Sequence, residues 1–141
     1  MIDVKVVDAS NMVVGRLASI IAKELLNGEE IIVVNADKAV IVGNKDYIIG
    51  KYTERRNIGS VRKGPHYPRM PDKILKRTVR GMLPMKKSRG KDAYRRLKVY
   101  MGVPKHIQEN SFVVYEDAKN IKLKGYITLK DLSVQLGAKL R

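Results

Sequence analysis

Apolar and polar positions alternate and then merge at the start of the chain. "IDVKVV", residues 2–7, is polar at every second position and then continuously apolar, which predicts a strand. "ASNMVVGRLASIIAKELLNG" follows as a loop leading into a helix. Leu17, Ile20, Ile21 and Leu25 fall on one face at helical spacing, and Arg16, Ser19 and Lys23 fall on the other. Asn27 and Gly28 form the stop, because Gly takes the left-handed conformation at little cost. A buried strand is expected at Ile31 to Val34. Strand, helix, strand with short links is a βαβ unit and implies parallel pairing. "KAVIVGN" reads as a further short strand, and "KDYIIGKYTERRN" as a helix weakened by Gly50.

The second half repeats one design. In "PDKILKRTVRGML", Ile74, Leu75, Val79 and Met82 form an apolar stripe opposite Lys73, Lys76, Arg77 and Arg80, and Gly81 or Pro84 ends the helix. In "KDAYRRLKVYMG", Ala93, Tyr94, Leu97 and Met101 form the stripe while Arg95 and Arg96 point outward. "SFVVYED" reads as a strand. In "GYITLKDLSVQLG", Tyr126 to Thr128 look extended and Thr128 caps a short helix that stops at Gly137. The expected class is α/β: a small parallel β-sheet of about four strands flanked by helices, with a basic irregular loop region. That loop region is "NIGSVRKGPHYPRMP", residues 57–71, rich in Gly and Pro and lacking an apolar pattern. It is expected to be mobile in the free protein and ordered by its partner.

Composition sharpens this picture. The 141 residues suit one domain, residues 1–141, and the 44% apolar content supplies a core. The absence of cysteine removes disulfides, thiolate metal sites and thiol nucleophiles. "MIDVKVVDAS" lacks the basic-then-apolar order of a signal peptide, and no apolar run approaches the roughly 20 residues of a membrane span. An intracellular, cytoplasmic protein is expected.

The net charge of +15 is not spread evenly. Residues 1–50 and 106–141 together hold eleven basic and eleven acidic side chains, a near-neutral framework. Residues 51–105 hold 18 basic side chains against Glu54, Asp72 and Asp92. A solvated face mixes both signs, so this concentration calls for a polyanion. The cations Arg55, Arg56, Arg62, Lys63, Arg69, Arg77, Arg80, Lys86, Lys87, Arg89, Lys91, Arg95, Arg96 and Lys98 form the candidate RNA-binding set. Tyr52, Tyr67, Tyr94 and Tyr100 are interleaved with them, and Arg suits bidentate phosphate contacts and stacking. No sequence-reading nucleic-acid motif is present, so backbone and shape recognition is expected. An anionic membrane surface fits less well, since the chain has no Trp and one Phe.

Enzyme chemistry finds little support. "GNKDYIIGKY" places six residues between Gly43 and Gly50 where a phosphate-binding loop needs four, and Tyr52 stands where a magnesium-binding hydroxyl belongs. His66 and His106 lack a neighbouring ligand or acid, so neither a metal nor another cofactor is expected. His66 fits a stacking or phosphate-contacting residue, or a solvated loop histidine. Ser88 has no base nearby. Asp8 and Asp37 follow strands, where an α/β site would form, and also suit turns and caps. The alternative is an α/β enzyme acting on RNA or nucleotides, with the basic face as its substrate channel.

"VRGMLPMKKSRGKDAYRRLKVYMG", residues 79–102, resembles the signature of the universal large-subunit ribosomal protein L-thirteen family. Val79 to Pro84, Gly90-Lys91, Leu97 to Tyr100 and Gly102 stand in the family's order. "VVDASNMVVGRLAS" and "VVNADKAVIVGNK" look like its N-terminal segments, and "NIGSVRKGPHYPRMP" like its archaeal and eukaryotic branch. The chain is shorter than eukaryotic members, which makes the resemblance archaeal in type. It implies a small α/β fold, no enzymatic activity and no small-molecule substrate. It also implies binding to large-subunit (23S-class) rRNA beside neighbouring ribosomal proteins, typically early in subunit assembly. Carried over by position, Arg80, Lys86, Lys87, Arg89, Lys91 and Lys98 would contact RNA, while Gly81 and Pro84 would shape the turn.

Overall fold

A computed structural model describes residues 4–57, 68–105, 107, 112–120 and 125–138. The expected βαβ unit is present. β1 (Val4–Asp8) leads into α1 (Val14–Leu26) and then β2 (Glu30–Val34). α1 forms because its apolar residues recur at helical spacing. Val14, Leu17, Ala18, Ile21, Ala22 and Leu25 are all buried. It stops where Gly28 takes φ +95°, a conformation costly for any residue with a Cβ. β1 and β2 pair in parallel, Val6 opposite Ile32.

The parallel sheet has the order β1-β2-β4, with β4 at Leu97–Val99. This corrects the expectation of a helix running from Lys91 to Gly102. α4 (Ser88–Arg95) ends at Arg95, and the chain turns at Arg96 into a strand paired with β2, Ile32 opposite Lys98. In the strand, Leu97 and Val99 are buried and Lys98 is exposed, a period of two. Met101, expected in the apolar stripe, is 37% exposed.

β3 (Val40–Val42) lies outside this sheet. It pairs antiparallel with β5 (Tyr126–Thr128), Ile41 opposite Ile127, making a second, two-stranded sheet. "SFVVYED" contributes a parallel bridge at Val113 beside Val7, with the Val113 amide donating to the Val6 carbonyl at 2.8 Å. The α/β class and the small parallel sheet stand as expected, with three strands and this bridge.

Three further helices surround the sheets. α2 (Lys45–Asn57) starts at Asn44, whose Oδ1 accepts the Tyr47 amide at 3.1 Å. It tolerates Gly50 and buries Ile48. α3 (Pro71–Arg80) packs on α1 and on α5. α5 (Leu129–Gln135) has the predicted cap, with Thr128 Oγ1 accepting the Asp131 amide at 3.2 Å. The core joins these layers through Met12, Leu17, Ile21, Leu25, Ile31, Leu75, Leu97, Leu129 and Leu132. Each such side chain contributes about 1.5–3 kcal/mol by leaving water.

The ends of the strands are locked by polar contacts. Asp8 Oδ1 accepts the Ser10 amide at 2.9 Å and the Asn35 side-chain amide at 3.0 Å. Asp37 Oδ1 accepts the Gly102 amide at 3.1 Å. Both carboxylates act as turn residues. Burial works against ionising Asp8, but the hydrogen bonds from Ser10 and Asn35, with the charge of Lys38, outweigh it and hold its pKa below the ordinary value.

Candidate nucleic-acid interface

α3 builds the base of the site. Pro71 at its first turn needs no hydrogen-bond partner for its nitrogen. Ile74, Leu75 and Val79 face the core, while Lys73 and Arg80 are exposed and Lys76 and Arg77 half-exposed. Arg77 and Arg80 occupy the last turn, where cations complement the helix dipole. One expectation fails at the exit. Met82 is 43% exposed and Leu83 is buried in its place, because after Gly81 the chain tightens into i→i−3 turns and the helical spacing no longer applies.

The turn after α3 is pinned from both sides. Leu83 enters the core, 7% exposed. The Pro84 carbonyl accepts the Lys87 amide at 3.0 Å. Gly90, buried in the first turn of α4, lies directly against that carbonyl. A Cβ at Gly90 would sit 2.1 Å from the Pro84 oxygen and 2.4 Å from its carbon, so no larger residue fits. Only Gly90 and Ala93 of α4 are buried. Lys86, Lys87, Arg89 and Lys91, which surround this pinned contact in sequence, are all exposed. The apolar residues thus fix the backbone, and the cations stand clear of it.

Arg80, Lys86 and Lys87 line one open groove of about 510 Å³ floored by Leu83, Pro84 and Met85. Beyond it, Lys76 Nζ lies 5.1 Å from the centre of the Tyr94 ring. Burial raises the pKa of Tyr94, opposed by the positive charge of Arg80 and Arg77, so its phenol stays neutral. Arg55 lies 5.2 Å over the Tyr52 ring on α2. Arg55 and Arg77 share a second cleft with Lys51, Tyr52 and Thr78. Lys51 did not stand out in the sequence. Its signal is the i, i+4 spacing to Arg55, which places both on one helix face.

The remaining candidates divide. Arg69 is exposed, with its guanidinium close to Gly137 after α5, and Lys98 is exposed on β4. Arg95 is exposed and pairs with Asp92 at 3.4 Å. Arg96, expected to point outward, instead turns inward. Its Nη2 donates to the Leu25 carbonyl at 2.6 Å, closing the C-terminal end of α1. Arg62, Lys63, His66, Tyr67 and His106 lie outside the described residues, as does most of the loop expected to be mobile. Of Arg56 only the backbone is described. Among the described residues, no group of three or more His, Cys, Asp or Glu side chains could hold a metal ion. No described helix is long and apolar enough to cross a membrane.

Comparison with known proteins agrees with this arrangement. Residues 3–106 match the family described as Ribosomal protein L13. The chain is 55% identical over 138 residues to the large ribosomal subunit protein uL13 of Archaeoglobus fulgidus, covering 96% of this chain and 88% of that protein. Its identity to the protein of the same name from Methanococcoides burtonii is 52% over 136 residues, 95% of this chain and 98% of that one. For the Thermoplasma volcanium protein it is 50% over 133 residues, 94% and 98%. With a family match over residues 3–106 and relatives at about half identity over most of its length, the chain belongs to the ribosomal protein L13 family.

Proposed function

We propose that this protein is a structural component of the large ribosomal subunit and not an enzyme. It holds 23S-class rRNA through the cationic surface of α3, the turn after it and α4. It acts early in subunit assembly, beside neighbouring ribosomal proteins in the cytoplasm. The binding region lies within residues 51–105 of a single domain whose remaining parts serve as framework.

One observation carries the reading. Lys86, Lys87, Arg89 and Lys91 are exposed around a backbone contact, Pro84 to Gly90, too close for any side chain at position 90. Cations on a preset backbone lose less entropy when they meet phosphate than cations on a free loop. Arg80 extends the same surface from α3, and Arg69, Arg95 and Lys98 lie exposed at its margins. Arg55 and Arg77 serve it from the neighbouring cleft. Arg96 belongs to the framework.

Sedimentation tests the reading. The native protein should travel with large subunits through a gradient and remain there after a high-salt wash that strips loosely bound cationic proteins. Recovery at the top of the gradient, or saturable nucleotide turnover by the RNA-free protein, would refute it.

A further inference from the structure

The start of α1, β3, α2 and α3 enclose a cleft of about 350 Å³. Val14, Ile41 and Ile74 give it apolar walls, and Lys51, Arg55 and Arg77 are the charged residues among its lining. Among the described residues, no carboxylate lines it. A cleft elsewhere on the surface, beside Ile20 and Tyr115, is lined by Glu24, Glu116 and Asp117 and is unsuited to an anion. The volume lies at the lower end of the roughly 300–1,000 Å³ typical of small-ligand sites. It is too small for a duplex or a helix and matches a group the size of one nucleotide.

We propose that this cleft receives a single unstacked nucleotide of the bound rRNA. Its base lies against the Tyr52 ring and the Arg55 guanidinium, and its phosphate faces Lys51 and Arg77. The proposal rests on the rRNA-binding reading above and deepens it. A ring with a guanidinium 5.2 Å from its centre offers stacking surface to any base, so the site selects an extruded nucleotide and not a particular base. Thr78 Oγ1 donates its proton to the Ile74 carbonyl at 2.9 Å, which leaves the hydroxyl oxygen as an acceptor for a ribose hydroxyl or a base amino group. The first turn of α1 supplies Val14 and Gly15 to the wall and contains no acid, so its positive end adds to the same field.

Gly15 makes the proposal testable. Gly15 lines the cleft and a Cβ there meets nothing within 4 Å, so a long side chain can be added at its wall while leaving every cation in place. The experiment uses the full chain bound to intact large-subunit rRNA. It compares the wild type with Gly15→Met and Tyr52→Leu by nucleotide-resolution chemical probing and by binding at several salt concentrations. One base whose reactivity the wild type changes should return to its free value in both variants. Affinity should fall about tenfold. The salt slope should not move, because no charge is lost.

If both variants fold and keep the full footprint and affinity, the nucleotide site is overturned while rRNA binding stands. If the wild type does not bind rRNA, the functional reading fails first. Should neither variant fold, titration of the wild type with nucleoside monophosphates decides. Saturable amide shifts at Gly15, Thr78 and Gly81, absent with inorganic phosphate, are expected. Their absence would overturn the site.

Discussion

The framework and the central region handle charge in opposite ways. In the framework, charged groups at the β1–α1 edge find partners on folding. Lys5 meets Glu24 at 3.1 Å and Glu29 at 3.6 Å, and its pKa is raised: desolvation opposes the charge, but the two carboxylates overcome it. Tyr115 donates its phenol proton to Glu24, and burial together with that bond pushes its pKa far up. Lys119 pairs with Glu116 at 3.1 Å. In the central region three acids face eighteen cations, so neutralisation from within is impossible on count alone. Arg95 and Asp92 do pair there, but at 78% and 57% exposure such a pair contributes little. One region brings opposite charges together on folding, and the other carries cations that its own acids cannot match in number. The packing follows the same division, with apolar residues setting the backbone of α3 and the turn while Lys86, Lys87, Arg89 and Lys91 remain exposed.

Four measurements can break or sharpen this contrast. The largest stability effect is expected at Gly90. Gly90→Ala drives a Cβ into the Pro84 carbonyl, backbone against backbone, and should cost about 3 kcal/mol in urea unfolding. A loss below about 0.5 kcal/mol would mean that the turn is not pinned there.

Asp8→Ala comes next, at about 2 kcal/mol near neutral pH, because it removes the acceptor for two hydrogen bonds. The sign of its pH dependence is fixed. The folded-state pKa lies below 3.8, so the ionised carboxylate stabilises the fold above about that pH, and this contribution disappears as pH falls through the folded value. The gap between wild type and variant in acid titrations followed by circular dichroism should therefore close below about pH 4. A gap that widened in acid would contradict the assignment.

Arg96→Met should cost about 1 kcal/mol through loss of the Leu25 carbonyl bond and leave the salt dependence of RNA binding unchanged. It tests whether a residue inside the basic stretch belongs to the framework. A shallower salt slope would return Arg96 to the RNA face.

The two regions also differed in how readable they were. β1, α1 and β2 follow from periodicity, because each is long enough to show its repeat and buries one clear face. The cap at Thr128 and the stops at Gly28 and Gly137 are local chemistry and were legible for that reason. β4 was hidden. Ala93, Tyr94, Leu97 and Met101 happen to fall at helical spacing across a boundary that only pairing with β2 reveals. The partner of β3 was hidden too, since an apolar run signals a strand and not which edge it joins. Within the candidate site, the cations could be singled out by charge alone. What charge could not show is that Gly90 meets Pro84 through space, that Arg96 turns toward α1, or that Lys51 and Arg55 on α2 face Arg77 on α3 across one cleft.

The central claim is that Lys86, Lys87, Arg89 and Lys91 are held ready for phosphate and contribute nothing to the fold. The direct test replaces all four with Ala and measures binding to a defined large-subunit rRNA fragment across salt concentrations. Each lost phosphate contact should reduce the slope of log K against log salt by about 0.7–0.9, so the four together should reduce it by about 3, with affinity down by two or more powers of ten. The far-ultraviolet circular dichroism and the urea midpoint should match those of the wild type. An unchanged slope, or a variant that loses its fold, would contradict the account.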